Sequence, residues 1–273
     1  MKYHYSLIFS LIFFNFHLFA QNTQQIKPLV IGEVQTINSS ILKENRTLNI
    51  YLPEGYSPDS TKTYPVIYLL DGSANEDFLH VAGLVQFLTM IDAMPKSIVV
   101  GIANVDRRRD FTFPTTVPKD LKDFPTTGKS ENFVLFMEKE LQPYISKLYK
   151  TNASKTIIGQ SLGGLLATEA LLKKPALFTN YMIISPSLWW NNESLLNEAP
   201  KYLQKSVPNG TQVYISVGTE GKQMESDTKK LAALLQQQKN IKVNFLPIPE
   251  ENHSTILHNA LYKGFGFFYP KKN

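Results

Sequence analysis

The chain has 273 residues, a formal charge of +5, 43% hydrophobic and 19% charged residues, and no cysteine. This composition argues against a disordered chain and rules out disulfides, a lipidated N-terminal cysteine and thiol catalysis. The basic residues are scattered apart from Arg107-Arg108-Arg109 and Lys271-Lys272. That distribution speaks against a nucleic-acid partner and suits anionic small substrates or an anionic envelope surface.

Residues 1–20 read as a secretory signal, with Lys2 at the start, an apolar run from Ser6 to Phe19 and Ala20 ahead of Gln21. The run of about fourteen residues is short of the ~18 to 20 that span a bilayer. The expectation is therefore a periplasmic or secreted protein with a cleaved leader, no stable membrane span, and one domain over residues 21–273. A polar stretch, 21–28, precedes two β-rich runs, Val30 to Ile37 and Arg46 to Leu52. Tyr64 to Leu70 is almost continuously apolar and stops at Asp71-Gly72, as a strand buried on both faces does. Helical spacing follows over Phe78 to Ile91, and Ser97 to Val105 is the next buried strand.

Asp106 to Lys129 has no periodicity and reads as a long loop. Phe133, Phe136, Met137, Leu141 and Tyr144 mark a helix from Ser130 that Pro143 is expected to kink. Strands are expected at Lys155 to Ile158, Asn180 to Ile184, Val213 to Val217 and Ile241 to Ile248. Helices are expected at Leu162 to Lys174, at Glu193 to Leu203, around Leu231 to Leu235, and from Asn252 onward. Strand and helix thus alternate, the pattern of an α/β fold whose mostly parallel central sheet carries helices on both faces.

The stretch Gly159-Gln160-Ser161-Leu162-Gly163 sits between one of these strands and its helix. In that context a sharp, strained turn exposes the serine hydroxyl above the sheet edge, with Gly159 and Gly163 keeping room for the turn. Serine is a poor nucleophile until an imidazole takes its proton, and the imidazole needs a carboxylate to fix its tautomer. Of five histidines, His253 alone follows a late strand, which makes it the candidate base. Glu220, directly after the strand ending at Val217, is the candidate acid, with Glu225 and Asp227 as competitors and a serine–histidine dyad as the alternative.

All three positions follow the carboxyl ends of strands, where α/β sheets hold their ligands, in the order found in α/β-hydrolases. The oxyanion site is expected at the Leu162 amide and at Gly72 or Ser73 after the Leu69-Leu70-Asp71 strand end. Asp71 itself, ahead of the nucleophile, is expected to organise that loop.

Tyr68-Leu-Leu-Asp-Gly72, the segment 100–112 with its three arginines, Gly159 to Leu165, Ser185-Pro-Ser-Leu-Trp-Trp190 and Asn252-His253-Ser254 together resemble the esterase D-like family of α/β-hydrolases. Siderophore (enterobactin-type) and feruloyl esterases are members of that family. The resemblance implies the α/β-hydrolase fold and metal-free, cofactor-free ester hydrolysis through an acyl-serine, with Ser161 and His253 on the matching motifs. Gln160 stands where the family often has histidine.

Arg108 and Arg109, after a strand end, are candidates to bind a carboxylate or stack on an aromatic acyl group, and Trp189 and Trp190 to wall the substrate site. An acyl transferase on the same serine machinery and a non-catalytic glycan- or siderophore-binding protein are the rival functions.

Overall fold

The computed structural model describes residues 27–205 and 207–271; the expected signal, residues 1–20, lies outside the described residues. Strands β1 (Glu33–Ser39) and β2 (Glu44–Tyr51) form a hairpin, and β2 pairs antiparallel with β4 (Ile98–Ile102). The strands β3 (Tyr64–Leu69), β5 (Thr151–Gln160), β6 (Asn180–Ile184), β7 (Thr211–Val217) and β8 (Ile241–Pro247) run parallel with β4. The eight-stranded order is β1-β2-β4-β3-β5-β6-β7-β8. This is the expected α/β architecture, with the antiparallel pairings confined to one edge.

Side chains alternate across the sheet and feed two cores. Ile67, Leu69, Val99, Ile158, Met182 and Ile184 point to a face covered by α1 (Phe78–Met90) and α9 (Ile256–Phe268). Tyr68, Val100, Ile157, Tyr181 and Ile183 point to the other face, covered by α4 (Ser130–Phe136), α5 (Gln142–Leu148), α6 (Leu162–Lys173), α7 (Trp190–Tyr202) and α8 (Lys222–Gln236). Central strands that are apolar at every position, such as β3, are buried on both faces for this reason.

The expected loop over 106–129 instead contains two short helices, α2 (Arg107–Phe111) and α3 (Pro118–Asp123). Asp106 caps α2 by accepting from the Arg109 amide at 3.0 Å, and Pro118 opens α3. Helices of five and six residues make too few turns to leave a periodic signal. Pro143 produces a widened π turn over Met137–Leu141, ahead of α5, where a missing amide is accommodated. The last helix begins at Ile256, because Asn252 to Thr255 close a separate turn: the Asn252 amide donates to Thr255 Oγ1 and the Ser254 amide to Asn252 Oδ1.

Candidate active site

The turn from β5 into α6 puts Ser161 at φ 60°, ψ −121°, a strained conformation for a residue with a Cβ. It is held from both sides. The Ser161 amide donates to the Ile184 carbonyl at 3.0 Å, and the Ser161 carbonyl accepts from Leu165 and Ser187 amides at 2.9 and 3.0 Å. A Cβ on Gly159 would lie 2.2 Å from the Gly163 carbonyl oxygen, so only glycine permits this close approach. The second such position is Gly164 rather than the expected Gly163. A Cβ there would come within 2.9 Å of the Ile184 carbonyl, whereas at Gly163 the nearest atom is 3.4 Å away.

Ser161 opens onto a cleft of about 390 Å³ that Glu220, His253, Ser187 and Trp189 also line. Ser161 Oγ lies 3.4 Å from Ser187 Oγ. The loop after β7 buries Glu220 to 2% exposure and aims it at the turn after β8, where His253 Nδ1 donates to Glu220 Oε2 at 2.5 Å. The other carboxylate oxygen accepts from Ser185 Oγ at 2.5 Å and from the Gly218 amide at 2.9 Å. Burial pushes the Glu220 carboxyl up, but the hydrogen bonds from His253, Ser185 and Gly218 outweigh it and leave the pKa below the usual value. Glu220 is thus held as the carboxylate.

The two competing acids have other partners. Glu225 Oε1 accepts from the Glu220 and Gly221 amides, both at 3.0 Å, so it braces the loop that carries Glu220. Asp227 is buried on α8 and meets Lys230 at 3.3 Å.

On the oxyanion side, Leu162 opens α6, and a first-turn amide has no intrahelical partner. The expectation for Gly72 needs correction. Its amide donates to the Ile102 carbonyl at 3.0 Å, extending the sheet, and a Cβ there would lie 2.4 Å from Gly101 Cα. The Ser73 amide donates to Glu76 Oε2 at 3.3 Å. Asp71 organises this loop, as expected: it takes Arg107 Nε at 2.6 Å and Nη2 at 2.9 Å on its two oxygens, and Asn104 Nδ2 at 2.7 Å.

The two arginines expected at the substrate have other partners. Arg109 does not line the cleft; it bridges Asp110 and Glu44 at 2.7 Å each, in a cluster with buried Arg46. Arg108 lies over the Phe124 ring, 5.1 Å from its centroid, and donates to the Asp123 carbonyl. Arg107 is the one at the elbow, its Nη2 reaching the Gln160 carbonyl at 3.4 Å. The tryptophans also part company: Trp189 lines the cleft, whereas Trp190 is fully buried and donates its indole N–H to the Phe113 carbonyl at 2.9 Å.

Sequence reasoning did not assign Ser185, Ser187 or the Gln160 side chain to the site. The signal was available only as their membership of the two motif segments, since their partners come from distant loops.

An eight-stranded, mostly parallel sheet with a strained serine between strand and helix, and a buried carboxylate on a histidine beyond it, defines an α/β-hydrolase architecture. Residues 39–261 match the model of the Putative esterase family, and the chain belongs to that family. It is 30% identical over 249 residues to the ferri-bacillibactin esterase BesA of Bacillus subtilis, covering 82% of this chain and 85% of the relative.

Among solved structures, an IroE-like serine hydrolase from Shewanella oneidensis superposes with a TM-score of 0.80 at 31% identity, covering 87% of this chain and 80% of the other. The BES protein from Bacillus cereus superposes at 0.79 and 30% identity, covering 91% and 99%. The chain is a carboxylic ester hydrolase by family. Among the described residues, no helix is long and apolar enough to cross a membrane, and no group of three or more His, Asp or Glu is placed to hold a metal ion.

Proposed function

We propose that this protein is an exported serine esterase that cleaves siderophore-type or related aromatic and acetyl esters through an acyl-serine intermediate. The observation that carries the reading is the 2.5 Å bond from His253 Nδ1 to buried Glu220, in the same cleft as the strained Ser161. In this mechanism Ser161 Oγ attacks the ester carbonyl carbon while His253 Nε2 accepts its proton. Glu220 holds the tautomer that leaves Nε2 free and stabilises the imidazolium that forms. The carbonyl oxygen becomes an oxyanion and takes the Leu162 and Ser73 amides, the latter released from Glu76, each such donor being worth about 10²–10³ in rate. His253 then protonates the leaving alcohol, and a water deprotonated by the same imidazole hydrolyses the acyl-serine.

Export is supported by the sequence of residues 1–20. The substrate class is supported by the relatives, since BesA is named a ferri-bacillibactin esterase. The test is an ester panel of p-nitrophenyl acetate, methyl ferulate and a catecholate trilactone, run on the wild type and Ser161→Ala. Loss of all turnover in the variant is expected. Turnover that survives the substitution overturns the mechanism, and indifference to the trilactone removes siderophore-type esters from the substrate class.

A further inference from the structure

We infer that Gln160 is a positioning residue for the base, its side chain tethering the turn that carries His253 to the residue next to the nucleophile; this rests on the serine mechanism proposed above. Gln160 Nε2 donates to the His253 carbonyl oxygen at 2.5 Å. Both ends of this bond matter. Gln160 is the last residue of β5, paired with Ile184 of β6, and its own carbonyl receives Arg107 Nη2 at 3.4 Å. Its Cα is one peptide from that of Ser161, about 3.8 Å away. The tether therefore starts from a residue paired into the central sheet.

The other end is a turn with little else to hold it against the nucleophile. Its internal hydrogen bonds, among Asn252, Ser254 and Thr255, fix its shape but not its position. Thr219 ties the neighbouring Glu251 and Pro249 carbonyls to the acid's loop at 2.8 and 2.9 Å. Among the described residues, Gln160 makes the one hydrogen bond that joins the base turn to the nucleophile turn. Packing does not replace it, because the His253 side chain is 46% exposed.

A single bond at Nδ1 leaves the imidazole free to swing about the carboxylate. Fixing the backbone carbonyl as well supplies a second point, and so sets where Nε2 lies relative to Ser161 Oγ. The amide is suited to this because it donates a hydrogen bond without placing a charge beside the imidazole.

A displacement of about 1 Å in such a constellation costs up to about 10²-fold in rate. Gln160→Met keeps the stem and removes the donor, and Gln160→His returns a ring N–H of similar reach. With p-nitrophenyl acetate, Gln160→Met is expected to lower kcat about tenfold with KM within about twofold of the wild type, and Gln160→His to recover kcat to within about threefold. Gln160→Ala, read the same way, serves if the methionine variant folds poorly by thermal melting.

Wild-type kcat in both donor-less variants overturns the tether, as does equal loss in the methionine and histidine variants, or a change confined to KM. Ser161→Ala is assayed alongside. Activity in that variant sinks the serine mechanism itself, whereas its inactivity beside a fully active Gln160→Met overturns the tether alone.

Discussion

Ser185 Oγ and Glu220 Oε1 lie 2.5 Å apart, on the far side of the carboxylate from His253. Ser185 is fully buried at the end of β6 with φ 43°, a strained backbone that aims its hydroxyl at the acid. The carboxylate therefore divides its work, one oxygen anchored by Ser185 and the Gly218 amide, the other reserved for the imidazole. Ser185→Ala leaves the Gly218 anchor and is expected to lower kcat about tenfold, on the order of one charged hydrogen bond. Glu220→Gln removes the charge and misassigns the tautomer, so kcat is expected to fall about 10³–10⁴-fold. Both are read from kcat on p-nitrophenyl acetate. A Glu220→Gln enzyme with near-normal kcat would mean that the serine and histidine act as a dyad.

The ion-pair cluster of Arg109 with Asp110, Glu44 and Arg46 separates stability from recognition. Arg46 and Asp110 are each 1% exposed and in direct contact, so the net charge of the cluster must stay balanced. Arg109→Ala leaves two carboxylates sharing one guanidinium and is expected to cost about 1–3 kcal/mol, or roughly 3–8 °C in Tm. KM for anionic and neutral esters should be unchanged in that variant. A selective rise for anionic esters would return Arg109 to the substrate site and contradict its placement.

Trp189 and Trp190 are neighbours in sequence with opposite expected phenotypes. Trp190→Ala deletes a fully buried indole that packs against Phe124 at 5.3 Å and satisfies the Phe113 carbonyl. The expected cost is about 3–5 kcal/mol, visible as a large drop in Tm. Trp189→Ala, on the cleft wall and backed by Phe124 at 6.0 Å, is expected to raise KM for an aromatic acyl ester about two- to tenfold, with little effect on an acetyl ester. Equal KM changes on the two esters would argue against an aromatic contact at Trp189.

The fold was legible because its strands announce themselves. Continuous apolar runs such as Tyr64 to Leu69, alternating with helical spacing, leave few arrangements other than a two-core parallel sheet. Ser161 and its turn were readable because a strained strand-to-helix corner needs glycines at fixed offsets. What stayed hidden was fixed by partners far along the chain. Gly72 looks like an oxyanion donor until Ile102 takes its amide, and Arg109 looks like a substrate arginine until Glu44, 65 residues earlier, claims it. The choice among Arg107, Arg108 and Arg109 was a choice of rotation about a five-residue helix, too short to carry periodicity.

Asp77, at the start of α1, yields a prediction about pH. Burial, followed by repulsion from Asp71 and Glu76, raises its carboxyl to about 6, with Arg107 opposing. The unfolded carboxyl ionises near 3.8, so between these values the folded chain holds a proton that the unfolded chain has released. Stability contributed by this group is therefore present at low pH and is lost as pH rises through about 6. Asp77→Asn keeps the size and a residue suited to the start of a helix while removing the titration.

Its Tm is expected to match the wild type near pH 4 and to exceed it above pH 7. The half-exposed setting screens the gain to about 1–2 °C. The measurement is the difference in Tm between the two proteins across that range. A difference that does not vary with pH would assign the effect to packing and deny the raised pKa.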